Sequence, residues 1–226
     1  MRKQFIVIDG LDGSGKATQT ARLADFLTKK KYPVKTLTFP NYNSPSSALV
    51  QMYLQGKISQ EPSSVNPYAA SSFYACDRYI GYITDWCKNY QKHDILLSDR
   101  YVSSNLIHQM AKLSSDEWDN FMDWLYDYEY DKLGLPRPHL TIYLDMNPRV
   151  SQKLLNSRYA YDMQKKDIHE RDFIYLSSCR KAALYAAQRD NWAVISCDDG
   201  EQPYSIEETF SKIQEILGVS NGISNN

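Results

Sequence analysis

Gly10, Gly13, Gly15 and Lys16 stand close together in the stretch "GLDGSGKAT", from Gly10 to Thr18. Glycine lets successive backbone N–H groups turn toward one point, and a helix beginning just beyond adds its partial positive charge there. A lysine at that point supplies a mobile ammonium, so the combination suits a polyphosphate, with Lys16 reaching its outer groups. The bland alternative is a tight glycine turn. Context decides against it, because the apolar run "FIVID" precedes the loop directly and a helical stretch follows. Gly10, Asp12, Gly13, Ser14, Gly15, Lys16, Ala17 and Thr18 are therefore the expected residues of a nucleotide-phosphate site.

Ala17 stands where such a loop ordinarily carries a hydroxyl that ligates Mg²⁺. Thr18 is no substitute, since one residue along a helix turns the side chain by about 100°. Mg²⁺ keeps several waters and commonly meets only one or two carboxylates besides substrate phosphates. Asp9, Asp12 and Asp99 are the expected metal-site residues. Asp99 closes the apolar run "DILLSD" and Arg100 follows it, at the strand end where open α/β sheets bind ligands; the alternative for Asp99 is a helix cap. Tyr74 and Arg78 lie four apart in "PYAASSFYACDRYIGY", on one helix face.

These residues need a frame. Apolar runs at 5–9, 34–39, 94–99, 140–145 and 192–197 alternate with longer amphipathic stretches, the pattern of parallel strands buried on both faces. Helices are expected over 15–30, 44–55, 67–90, 116–130, 147–156, 170–189 and 204–217, with Pro67 and Pro148 near their starts. The fold class is α/β, with helices on both faces of a five-stranded parallel sheet. Residues 157–168, "SRYAYDMQKKDI", are polar and basic without a buried stripe and are expected to form a mobile lid. Residues 1–217 are read as one domain and 218–226 as a flexible tail.

The 226 residues are 42% hydrophobic, enough for a full core, and carry a formal charge of -1. Near-neutral charge gives no global attraction to nucleic acid or anionic lipid. The first apolar run is too short for a membrane span. Cys76, Cys87, Cys179 and Cys197 are scattered without metal-ligand spacing, which fits a reduced, cytoplasmic setting. Most of the 18 tyrosines are expected to pack in the core or on helix faces.

Beyond the loop the chain presents "FPNY" at Phe39, "FYACDR" at Phe73, "SDRYVSSN" at Ser98, "LGLPRP" at Leu133 and "DIHERD" at Asp167. In this order they resemble the thymidylate kinase family, P-loop nucleoside monophosphate kinases, over nearly the whole chain; "DRYVSS" is the most specific element. The resemblance implies a three-layer P-loop NTPase-type fold and transfer of the γ-phosphoryl group of ATP to dTMP, with Mg²⁺, in a homodimer that binds neither nucleic acid nor membrane. It implies that Lys16, Asp12, Arg100 and Arg158 are catalytic. Arg100 and Tyr42 would hold the acceptor phosphate, Tyr74 would stack on the base and Arg78 would reach a base carbonyl. Ser104 and Asn105 would contact the base, His108 the sugar, and Phe39, Asp167 and Glu170 would line or close the acceptor site. Asp12 would lie near the sugar hydroxyl and the metal. In this family the catalytic arginine comes from the loop or the lid. Leu11 to Ser14 carry no basic residue, so the lid must supply it: Arg158, assisted by Lys165 and Lys166.

The chain departs from the family pattern at Ala17, at Asn41, where arginine is common, and at His108 and His169, where tyrosine is common. Alternatives stay open: Tyr74 in the core with Arg78 in a surface ion pair, His108 as a structural helix residue, and each basic lid residue as ordinary solvated loop. At the level of function, the alternatives are a kinase for another pyrimidine or deoxynucleoside monophosphate, or a catalytically weak ATP-binding relative.

Overall fold

The computed structural model describes residues 4–59, 61, 64–92, 94–158 and 173–218. In chain order the elements are β1 (Gln4–Gly10), α1 (Lys16–Lys29), β2 (Val34–Thr38), α2 (Ala48–Leu54), α3 (Pro67–Gly81), α4 (Cys87–Gln91), β3 (Ile95–Asp99), α5 (Ser103–Gln109), α6 (Trp118–Tyr126), β4 (Leu140–Asp145), α7 (Pro148–Arg158), α8 (Phe173–Arg189), β5 (Ala193–Ser196) and α9 (Ile206–Ile216). The strands form one parallel sheet in the order β2-β3-β1-β4-β5. All five match the apolar runs expected from the sequence.

Period-two alternation builds two cores from the same strands. On β1, Ile6 and Ile8 join Leu23 and Leu27 of α1 and Phe210 and Ile213 of α9. Phe5 and Val7 face the opposite layer with Tyr101, Leu106 of α5, Phe121 of α6 and Ala182 of α8. Phe5 meets Tyr101 edge-on at 4.8 Å and Trp86 at 5.7 Å, so the residue after Arg100 is anchored in the core.

The helices begin where local chemistry satisfies their free N–H groups. Asn66 accepts from the Tyr68 and Ala69 N–H groups at 2.8 and 3.4 Å, and Pro67, which has no N–H to satisfy, opens α3. Ser205 and Glu208 make a reciprocal cap at α9. Pro148 opens α7.

Three helical expectations need correction. The expected helix over 67–90 is interrupted by a π turn at Tyr82–Trp86, which carries Trp86 into the core. The helix expected to 130 gives way at Asp127 to a second π turn, Asp127–Lys132. Helix α5 is missing from the expected helix spans, although the alternatives for Asp99 and His108 imply a helix there. Its residues are mostly buried around the whole circumference, so "SSNLIHQ" shows no polar stripe to read.

Candidate active site

The phosphate loop connects β1 to α1 as its motif requires. Gly13 and Gly15 have φ of 85° and 88°, and Gly15 caps α1 in the left-handed conformation. Lys16 is buried and its Nζ donates to the Leu11 carbonyl at 2.9 Å, with Asp12 Oδ1 at 3.5 Å. Burial, followed by the neighbouring Arg100 charge, holds the Lys16 pKa below its ordinary value. Ala17 and Thr18 are exposed on the first turn.

Arg100 faces this loop because of an uncommon backbone. Its φ is 66°, left-handed for a residue with a side chain. Its N–H donates to Ile8 O at 3.1 Å and its carbonyl accepts from the Ser98 hydroxyl at 2.5 Å. Such strain persists only where surrounding bonds hold it, and it clusters at functional sites. The guanidinium bonds Asp12, lies 3.8 Å from Asp9 and donates to His108 Nε2 at 3.3 Å. Burial works to lower the Arg100 pKa, but Asp12, Asp9 and Asp99 outweigh it and raise it. Lys16 and Arg100 thus meet at one carboxylate, Asp12.

The three expected metal-site carboxylates differ. Asp9 is fully buried and committed to protein donors: the Gly10 N–H at 2.8 Å, the Ser103 hydroxyl at 2.6 Å and the Ser104 hydroxyl at 2.8 Å. Asp12 is engaged by both cations. Asp99 has a buried Oδ1 with no hydrogen-bond partner among the described residues, and burial raises its pKa. An orphaned carboxylate oxygen beside a phosphate loop fits a hydrated cation. Among the described residues no group of three or more His, Cys, Asp or Glu is arranged to hold a metal ion.

A second cluster lies behind Tyr101. Arg78 is 1% exposed and Glu129 is fully buried; Arg78 Nε and Nη2 each donate to Glu129 at 2.6 Å, and Nη1 to the Tyr101 carbonyl at 3.3 Å. Burial alone would lower the Arg78 pKa, and the facing Glu129 carboxylate reverses this and raises it. The ion pair weighed from sequence therefore exists, but in the interior and not at the surface. Asn105 is buried beside it. Tyr74 is half-buried and packs edge-on against Tyr53 at 6.4 Å.

Among the remaining expected residues, Tyr42 is 57% exposed and is close enough to interact electrostatically with Arg100. Phe39 is buried against Tyr101 at 5.8 Å. The loop carrying Asn41 is tied to α3, because Asp77 accepts from the Asn41 N–H at 2.8 Å and the Ser46 hydroxyl at 2.5 Å. Ser151 of α7 donates to the Asp12 carbonyl, so that helix starts at the loop and ends at Arg158. Lys165, Lys166, Asp167, His169 and Glu170 lie outside the described residues.

Sequence reasoning passed over Glu129, Ser103, Asp77 and the Arg180–Asp145 pair, which closes at 2.6 and 2.7 Å at the end of β4. Ser103 had a signal, since it stands beside Ser104 in "SSN". Glu129, in "YDYEYDK", reads as part of a solvated charged face.

A parallel sheet whose central strand feeds a glycine loop and a buried lysine, with an arginine at the end of the neighbouring strand, defines a phosphate-loop nucleotide-binding enzyme. The family model for thymidylate kinase matches residues 8–213. The chain is 30% identical over 203 residues to a thymidylate kinase of Mycobacterium tuberculosis, covering 86% of this chain and 92% of the relative. It is 27% identical over 224 residues to one from Dictyostelium discoideum, covering 96% and 85%. The fold is similar to solved thymidylate kinases of Candida albicans (TM-score 0.65, 21% identity, 96% and 92% covered) and Ehrlichia chaffeensis (TM-score 0.66, 19% identity, 96% and 100% covered). The chain belongs to the thymidylate kinase family.

Proposed function

We propose that the Lys16, Asp12 and Arg100 constellation carries out the phosphorylation of dTMP by ATP. The observation behind this is the meeting of the two cations at Asp12: the loop lysine and the strand-end arginine are near enough to hold a donor and an acceptor phosphate in line. Phosphoryl transfer asks a protein mainly for that positioning and for positive charge on the transferring group.

The loop N–H groups from Asp12 to Thr18 and the Lys16 ammonium receive the ATP phosphates. Arg100 exchanges its Asp12 contact for the acceptor phosphate, a target suited to its planar fork, and Tyr42 closes on the same group. Asp12, released, is the carboxylate nearest the attacking oxygen and the sugar hydroxyl. Tyr74 stacks on the base, which Arg78, Ser104 and Asn105 read, and His108 borders the sugar. Mg²⁺ is the proposed cofactor; Asp99, with Asp9 and Asp12, would hold it through water, and it would neutralise charge on the phosphates. Arg158, at the end of the helix that starts at the loop, is the lid cation, with Lys165 and Lys166 assisting and Asp167 and Glu170 closing over the acceptor.

The family match favours dTMP over the other acceptors and over a weak ATP-binding relative. Leu49 and Met52 of α2, Tyr79 and Ile80 of α3 and Ile83 of the π turn that follows it are exposed large apolar side chains, and we assign them to a homodimer interface. The enzyme is assigned to the cytoplasm on its scattered cysteines, which show no paired spacing; among the described residues no helix is long and apolar enough to cross a membrane.

The test is ADP release by the purified chain with ATP and Mg²⁺ against dTMP, dUMP, UMP, dCMP and dGMP. Turnover favouring dTMP is expected. Turnover on another acceptor alone, or ATP binding without turnover, would overturn the assignment.

A further inference from the structure

Glu129 has no part in the scheme above, yet it touches two of the residues that meet the base. Its oxygens accept from Arg78 Nε and Nη2 at 2.6 Å each and from Asn105 Nδ2 at 3.1 Å. The second Asn105 amide hydrogen goes to the Ser71 carbonyl at 3.3 Å. Both donors of Asn105 are therefore spent on the protein, and its amide oxygen is what it offers a ligand. Arginine has five N–H donors. Glu129 takes two from Arg78 and the Tyr101 carbonyl takes one, so the guanidinium keeps two.

The carboxylate thus sets the polarity of the pair. Arg78 can only donate, and Asn105 is held so that it accepts. An amide has nearly the same shape either way round, and only its neighbours decide which end faces the ligand. A donor beside an acceptor complements a base edge that carries a carbonyl next to an N–H, which is the 4-oxo, N3–H edge of thymine or uracil. The 4-amino edge of cytosine, with an unprotonated N3, presents the reverse pattern to both groups.

We infer that Glu129 is a specificity-determining positioning residue, which selects 4-oxo over 4-amino pyrimidine monophosphates by fixing Arg78 as donor and Asn105 as acceptor. The inference rests on the reading of Arg78 and Asn105 as base contacts. Glu129 sits in the π turn Asp127–Lys132 and continues the inward face of α6, in line with the buried Phe121 and Leu125 at i, i+4 spacing.

Glu129→Gln is the test, with 5-methyl-dCMP as competitor because it differs from dTMP only along the edge in question. Glutamine brings one acceptor oxygen and two donors of its own, which oppose the donors of Arg78 and Asn105. The KM for dTMP should rise about tenfold or more and the preference for dTMP over 5-methyl-dCMP should fall about as much, while kcat with dTMP and the KM for ATP stay near wild type. Glu129→Asp provides a second variant should Glu129→Gln not fold; its buried carboxylate is one methylene too short to span both partners, and the same changes should be smaller. Circular dichroism and thermal melting identify the folded variant. A folded variant that keeps the wild-type KM and preference overturns the inference, as does one that loses kcat equally on both acceptors with KM unchanged. A wild-type enzyme indifferent between dTMP and 5-methyl-dCMP would instead overturn the reading of Arg78 and Asn105 beneath it.

Discussion

Substituting Gly10 by alanine should disrupt the site through the sheet itself. Gly10 ends β1 opposite Leu144 of β4. A Cβ there would lie 2.7 Å from the Leu144 carbonyl oxygen, 2.6 Å from Ser14 Oγ and 3.3 Å from Leu144 Cβ. Ser14 can turn its hydroxyl away. The Leu144 carbonyl cannot, because β4 is paired on both sides, to β1 and to β5. Restoring ordinary contact requires β1 and β4 to part by about half an ångström at the loop entrance, and such overpacking costs about 1–3 kcal/mol. Since a 1 Å displacement can cost about a hundredfold in rate, kcat/KM for ATP should fall by roughly tenfold or more. Gly15→Ala is the control. No atom lies within 4 Å of its Cβ, but its φ is +88°, so it should cost about 1–2 kcal/mol from backbone conformation alone. Urea denaturation and ATP titration read both effects, and Ser14→Ala added to Gly10→Ala should recover only part of the loss. A Gly10→Ala enzyme within about 0.5 kcal/mol of wild type, with unaltered ATP affinity, would refute this account.

Ala17→Ser adds a hydroxyl on the first turn of α1, and the Mg²⁺ concentration for half-maximal activity should drop several-fold; an unaltered Mg²⁺ dependence would show that Ala17 does not limit metal binding. Lys112 donates to Tyr53 Oη at 2.6 Å, and burial pushes its pKa down to about 7. Between that value and about 10.4 the unfolded chain binds the proton that the folded chain lacks, so this group's contribution to stability grows as pH rises, by at most about 1.4 kcal/mol per pH unit. Denaturation of wild type and Lys112→Met from pH 7 to 9 should show the difference moving in favour of wild type, and parallel curves would contradict it. Ile83, 57% exposed, should lie in the homodimer face. Ile83→Glu should halve the mass seen by light scattering, and a wild-type monomer, or a variant that stays dimeric, would remove that assignment.

The sequence by itself determined the strands, the phosphate loop and the chemical identity of Lys16, Asp99 and Arg100, because each is a local matter. Strand burial is written in runs such as "FIVID" and "LTIYLD", and a loop that turns its N–H groups inward needs glycines at fixed offsets. Helix α5 escaped that reading because it is buried nearly all round, which leaves no periodic contrast. The sequence also could not rank the three carboxylates. Asp9, Asp12 and Asp99 are alike as letters, and only packing commits Asp9 to the Ser103 and Ser104 hydroxyls, sets Asp12 between Lys16 and Arg100 and leaves an Asp99 oxygen orphaned. The same holds for Arg78. It stands 51 residues before its partner Glu129, and only the fold brings the two buried side chains together. Local propensity follows from neighbours in the chain. The pairing of buried charges follows from which distant side chains the folded backbone brings within hydrogen-bond reach, and that was decided by tertiary structure alone.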